Sequence, residues 1–161
     1  MAPDLRWSDI AGQARPREAT VSLCVDGTVQ SRLEAARRRL ADERRRSADT
    51  LDGGDVGPAL EEVERLEDQA ATSTFEFAVR SCGHERWREL LVTHRSDDPA
   101  ERWDASTFVP AAIAECCDAF DSPAEVSDAA KTLTTAQILK LFNAVRRVNE
   151  DDDLVPTTRG R

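Results

Sequence analysis

The chain contains no tyrosine, a single methionine and two histidines, and aromatic residues make up 5% of its 161 positions. Such a small aromatic supply leaves few platforms on which the bases of a single-stranded nucleic acid could stack. No stretch approaches the roughly 18 uninterrupted apolar residues that a membrane-spanning helix needs, so no membrane partner is expected. The start, Met1-Ala2-Pro3-Asp4-Leu5-Arg6, lacks an apolar core behind a basic region, so secretion is not expected either. The four cysteines, Cys24, Cys82, Cys116 and Cys117, are too sparse for a disulfide framework, and adjacent cysteines rarely bridge. Reduced thiols in a cytoplasmic setting are the simpler reading. Lysine is nearly missing: 20 of the 22 basic residues are arginine, which with the many alanines and aspartates reads as coding bias rather than chemistry. Internal repeats are absent as well. Basic excess is also lacking. The formal net charge is −9, which opposes non-specific attraction to the phosphates of nucleic acids or anionic lipids.

What is present alternates between two periodicities. Residues 1–18 read as an N-terminal arm punctuated by Pro3, Gly12 and Pro16, either a disordered tail or a docking arm that inserts Trp7 into a partner. Over 19–25, Val21, Leu23 and Val25 alternate with polar or small residues, which predicts a strand. Residues 73–80 repeat that alternation through Phe75, Phe77 and Val79. Between the two strands, residues 28–70 predict a helical hairpin. Its first helix, 28–48, spaces Val29, Leu33, Ala36 and Leu40 as a coiled-coil seam, and its second, 58–70, does the same with Leu60, Val63, Leu66 and Ala70. A glycine-containing loop over 51–58 joins them. The first helix carries seven arginines against three acids and the second five acids against Arg65 alone, so antiparallel pairing with charge attraction is expected, Arg37, Arg38 and Arg39 facing Glu61, Glu62 and Glu64.

Beyond the second strand the pattern is helical. Trp87, Leu90, Leu91 and His94 share a face over 84–94, and a polar loop over 95–106 follows. Phe108, Val109, Ala112, Ile113, Cys116, Cys117 and Phe120 form a broad apolar side over 107–120, and 123–131 reads as a short helix. Thr134 and Gln137 have capping-box spacing and open a helix whose stripe is Ile138, Leu141, Phe142, Val145 and Val148. The expected fold is α+β and mostly α: a two-stranded antiparallel sheet, an inserted antiparallel coiled-coil hairpin and a C-terminal helical cluster. The expected organisation is one domain over 19–149, flanked by the arm 1–18 and an acidic tail 150–161.

No constellation for chemistry emerges. Cys82, His84, His94, Cys116 and Cys117 lack the Cys-x2–4-Cys or His-x3–5-His knuckles of structural zinc sites. Cys82 with His84 or His94 is the only pairing of a nucleophile with a base, and it lacks an orienting group. Gly53-Gly54-Asp55-Val56-Gly57-Pro58 has neither the lysine nor the preceding strand of a phosphate-binding loop. The arginine runs of the first hairpin helix are opposed by the acids of the second. No catalytic, cofactor or metal residues, and no cofactor, are therefore expected. A non-enzymatic interaction protein is, with self-association and with Trp7, Trp87, Trp103, Phe108 and Phe142 as the partner-binding side chains.

Three motifs carry a resemblance. They are Trp87-Arg-Glu-Leu90-Leu91-Val-Thr-His94, then Asp104-Ala-Ser-Thr107-Phe108-Val-Pro110, then Leu133-Thr134-Thr-Ala-Gln137-Ile-Leu-Lys-Leu141-Phe142-Asn-Ala-Val-Arg-Arg-Val-Asn149. In these, and in the strand, coiled coil and strand before them, the chain resembles the tail assembly chaperone-like proteins of long-tailed actinobacterial phages and prophages over roughly 19–149. It departs from the family's pattern at Arg95-Ser96, where two prolines are common, and at Trp103-Asp104-Ala105-Ser106, where a Gly-x-Asn is common. The resemblance implies a protein that keeps the long, helical tape measure protein soluble while tail tube subunits polymerise around it. It implies action in the host bacterial cytoplasm, and often a longer, frameshifted product. The alternative is a structural component of the tail or head–tail junction, held by its hairpin and arms.

Overall fold

The computed structural model describes residues 6–49 and 55–150. The first five residues of the expected arm, residues 51–54 of the expected hairpin loop and the tail from 151 onward lie outside the described residues. The fold is mostly helical, with a two-stranded antiparallel sheet. The described residues fall into two compact units. One is Ser22–Glu76. The other joins the residues up to Val21 with those from Phe77 onward.

Strand β1, Glu18–Cys24, and strand β2, Thr74–Arg80, form the sheet. Two backbone bonds just beyond the strands set the register: Ser81 N–H donates to the Arg17 carbonyl, and Val25 N–H to that of Ser73, each at 2.9 Å. Glu18 therefore sits opposite Arg80, and the two close an ion pair of 2.9 Å. The alternation predicted from the sequence sorts the faces only in part: Val21, Leu23 and Val79 are buried while Thr20, Ser22 and Ala78 are exposed, but Phe75 is 54% exposed and Val25, just beyond β1, is exposed as well.

In the Ser22–Glu76 unit, helix α2, Gly27–Asp49, and helix α3, Gly57–Thr72, form the hairpin. The Asp26 carboxylate caps α2 by accepting from the N–H groups of Thr28 and Val29 at 3.0 and 3.1 Å. Pro58 sits in the first turn of α3, where its missing N–H leaves no helical bond unmade. Leu33, Ala36 and Leu40 pack against Ala59, Val63 and Leu66, with Val56 and Ala70 at the margins. The seam of α3 thus runs 59, 63, 66, 70 rather than through Leu60, which is exposed one helical step away. The expected opposition of Arg37, Arg38 and Arg39 to Glu61, Glu62 and Glu64 is also different in detail. Arg37 pairs with Glu67 at 2.8 Å, while Arg38 and Arg45 pair with acids of their own helix and Arg65 holds Glu62 within α3. Position 37 flanks the seam and position 38 turns about 100° further away from it, while Arg39 lies on the opposite flank, where its charge acts on Glu62.

The other unit begins with one helical turn inside the expected arm, α1, Trp7–Ile10, and a 3-10 turn over Ala11–Gln13. Its helical cluster comprises α4, His84–Thr93; α5, Ala105–Cys116; α6, Pro123–Ala129; and α7, Thr135–Glu150. Local chemistry marks the starts. Gly83 precedes α4 at φ 86°, a conformation that an L side chain resists. Asp104 caps α5 by accepting from Ser106 N–H at 2.9 Å and Ser106 Oγ at 2.6 Å. Thr134 and Gln137 make the expected reciprocal box, Thr134 N–H to Gln137 Oε1 at 2.9 Å and Gln137 N–H to Thr134 Oγ1 at 3.2 Å.

Helix α5 differs from its expected span of 107–120. Asp104 starts it two residues earlier, and Pro110 lies inside the helix. Cys117 ends it by turning extended, at φ −116° and ψ 115°, and bridges the backbone of Val79 in antiparallel fashion. Phe120 is consequently not on the helix stripe; its ring stacks on Phe77 with centroids 6.2 Å apart. Glu150, expected in the tail, belongs to the last turn of α7. Phe108, Ala112, Ile113, Leu141 and Val145 are the driest side chains of this unit, at 0% exposure. Among the described residues, no helix is long and apolar enough to cross a membrane.

Candidate functional site

Four of the five side chains expected to bind a partner come together. Phe108 of α5 lies at the centre, with Trp87 of α4 edge-on at 5.4 Å, Phe142 of α7 edge-on at 5.9 Å and Trp103 tilted over it at 4.9 Å. Trp103 also meets Phe142 at 6.0 Å, and the His94 ring lies 6.3 Å from Phe108. Edge-to-face and tilted arrangements at these separations suit the ring quadrupoles. Helical spacing places Trp87 and His94 on one side of α4, and the carbonyl of His94 accepts from Asp104 N–H at 2.8 Å. That bond folds the 95–103 segment back, so Trp103 covers Phe108 just before α5 begins.

Burial divides this group. Phe108 is fully buried, and Trp87 and Phe142 are 5% exposed, so these three are interior and present almost no surface to a partner. They hold the helices together instead. Trp103 is half-buried and forms the outward end of the stack. Trp7 is not part of it; on α1 it stands 67% exposed. The partner-facing role expected for five aromatic residues thus narrows to Trp7 and Trp103.

A polar clasp surrounds Trp103 that the sequence reading missed. The guanidinium groups of Arg102 and Arg146 lie 5.1 and 5.6 Å from its ring centroid, within cation–π range. Glu150 binds both arginines, at 3.0 and 3.2 Å, and its Oε1 also accepts from the Trp87 indole N–H at 3.2 Å. One carboxylate therefore fixes two tryptophans and two arginines. Arg146 and Glu150, four apart on α7, form a pair legible in the sequence. Arg102 is not, because only the folded 95–103 segment brings it there. The result is an aromatic plate rimmed by two cations and one anion.

The histidines expected to be chemically idle lie apart from the cysteines, of which Cys82 and Cys116 both contact Asn149. His84 is exposed at the start of α4, and His94 is half-buried against Phe108. Burial pushes the Cys82 thiol up to about 12, with the Cys116 thiol and the Glu115 carboxylate adding to it. Burial also raises Cys116 and Cys117. A catalytic thiol requires the opposite shift, toward thiolate at neutral pH. No three His, Cys, Asp or Glu residues gather to hold a metal ion among the described residues. Compared with known proteins, the chain matches no family model, no curated protein and no solved structure.

Proposed function

We propose that this chain is a non-enzymatic tail assembly protein of a long-tailed phage, a chaperone that binds the tape measure protein while the tail is built. The observation that supports this reading is where the resembling motifs lie. Trp87 and His94 of the first, Thr107-Phe108 of the second, and Gln137, Phe142 and Asn149 of the third are not scattered. Trp87, His94 and Phe142 all touch the one ring of Phe108. Gln137 caps the helix that carries Phe142, and the Asn149 amide oxygen accepts from Ser81 Oγ and Cys82 N–H at 3.0 and 3.2 Å, anchoring that helix's end to the start of α4. Short motifs that are far apart in sequence yet depend on each other physically are the kind that a shared fold would retain together.

The unit's surface is consistent with a holding role. Val92 on α4 and Leu139 on α7 are 75% and 48% exposed, each beside charged neighbours. Scattered apolar footholds within a charged surface suit reversible capture of an amphipathic helix better than a permanent interface. Residues 95–131 carry nine acids against three bases, so a basic or amphipathic segment is the preferred partner chemistry.

Co-expression with the tape measure protein of the same genome is the test. The expected result is a soluble tape measure protein that co-purifies with this chain and is lost to the pellet without it. Equal solubility with and without the chain would remove the chaperone reading. Stoichiometric presence of the chain in purified virions would instead favour a structural tail or head–tail component.

A further inference from the structure

Two thiols share one side chain at the base of the helical cluster. Cys82 lies between β2 and α4, and Cys116 ends α5. Cys82 Sγ lies 3.5 Å from Asn149 Oδ1, while Asn149 Nδ2 donates to Cys116 Sγ at 3.4 Å. The oxygen and nitrogen of an amide are joined through a single carbon, so these contacts set both sulfurs around one amide group. Asn149 is itself held, its Nδ2 donating to the Val145 carbonyl at 2.8 Å. Cys117, although next in sequence to Cys116, leaves the helix on the strand that bridges Val79.

We infer that Cys82 and Cys116 form a paired oxidation site, which closes to an intrachain disulfide when the chain meets a peroxide. Cys82 is partly buried and Cys116 is 2% exposed, so Cys82 is the sulfur that an oxidant reaches first. Its sulfur attacks one peroxide oxygen, giving a sulfenic acid and one water. The Cys116 sulfur then attacks the Cys82 sulfur and gives up its proton, and hydroxide leaves and takes up a proton as the second water. Two thiols and one peroxide thus become one disulfide and two waters. The sulfurs must close to about 2.0 Å, which requires side-chain rotation away from Asn149. The Ser81–Gly83 segment lies outside any helix or strand, and its bonds to Asn149 must yield for the sulfurs to meet.

The surroundings set the character of this site. Burial and the neighbouring Glu115 carboxylate keep both sulfurs protonated at neutral pH. Arg86, paired with Glu115 at 2.9 Å, is the cation on the other side of that carboxylate. Oxidation is therefore slow at neutral pH and accelerates about tenfold per pH unit in mildly alkaline solution, following the thiolate fraction. Once formed, the disulfide resists reduction, because each sulfur is a poor leaving group. It would tie the start of α4 to the end of α5.

The test treats the full-length chain with hydrogen peroxide at pH 8, blocks remaining thiols with iodoacetamide and measures intact and peptide masses. The expected result is a monomer that has lost about 2 Da and two alkylatable thiols, with its melting temperature raised on the order of 5–10 °C. Cys116 and Cys117 fall in one tryptic peptide, so variants assign the bond: Cys117→Ser must keep it, and Cys82→Ser and Cys116→Ser must each lose it. A bond kept in Cys116→Ser, a disulfide-linked dimer, or Cys82 advancing to sulfinic acid with no cross-link would overturn the inference. Should Cys116→Ser fail to fold, the fate of the bond in Cys117→Ser decides alone.

Discussion

Phe108 shows how much one side chain organises. It touches Trp87, His94, Trp103 and Phe142, drawn from α4, the segment after it and α7, and it is wholly shielded from water. Phe108→Ala removes a ring that four neighbours cannot refill, so unfolding in urea should show a loss of about 3–5 kcal/mol. A loss under about 1 kcal/mol would mean that the aromatic group does not carry the packing. A second residue-scale effect is electrostatic. The Arg86 guanidinium hydrogen-bonds Glu115 and holds its carboxyl below the ordinary glutamate range, against a smaller desolvation effect. A depressed carboxylate contributes stability that is present above its unfolded value, near pH 4.3, and disappears as pH falls through the folded value. The wild-type melting temperature should therefore drop more steeply between pH 5 and pH 3 than that of Glu115→Gln. Parallel curves would show that the pair adds nothing.

The hairpin is the element on which composition and contact disagree most usefully. Its helices carry large and opposite charge, yet among the described residues one ion pair, Arg37–Glu67, joins them, and both partners are about half exposed. Exposed pairs of this kind contribute roughly 0.2–1 kcal/mol. Arg37→Gln should lower stability by an amount within that range, and the effect should vanish in 1 M salt, where screening acts within about 3 Å. Arg38→Gln should leave stability unchanged, and Arg39→Gln, at a position facing a Glu62 already held by Arg65, should cost less than Arg37→Gln. Equal losses at all three positions, read by thermal melts followed at the helical circular dichroism band, would mean that the overall charge attraction matters and the specific contact does not. What holds the hairpin is the seam, with Leu66 at 1% exposure as its most buried member.

At the scale of the molecule, the two units differ in what they contain. All three tryptophans, Trp7, Trp87 and Trp103, lie outside Ser22–Glu76, and so does every aromatic contact. Fluorescence thus reports one unit while helical circular dichroism reports both. Leu66→Ala should cost about 2–5 kcal/mol in the hairpin unit. Helical signal should then fall at lower urea than tryptophan fluorescence. Coincident transitions would show that unfolding passes through the strands as a single cooperative event.

Much of this was written locally. The alternation through Val21 and Leu23, the seam of Leu33, Ala36 and Leu40, and the Thr134–Gln137 box each express a period or a cap within a few residues, and each is where the sequence puts it. Local rules misplaced what longer-range pairing decides. Leu60 and Ala59 are adjacent, and only packing against α2 selects the smaller for the seam. Cys117 continues an apolar stripe, yet backbone pairing with Val79 takes it out of the helix. The aromatic residues could be named from the sequence as the informative ones, but whether each faces a partner or the interior depends on which helices converge on it. So the sequence by itself determined the main elements, several of their caps and the separation of charge, because those follow from neighbours along the chain. Only the tertiary structure decided that Phe108 is a core, that Glu150 clasps Trp103 through Arg102 and Arg146, and that Cys82 and Cys116 share Asn149. Those are meetings between residues far apart in sequence, and no local period encodes them.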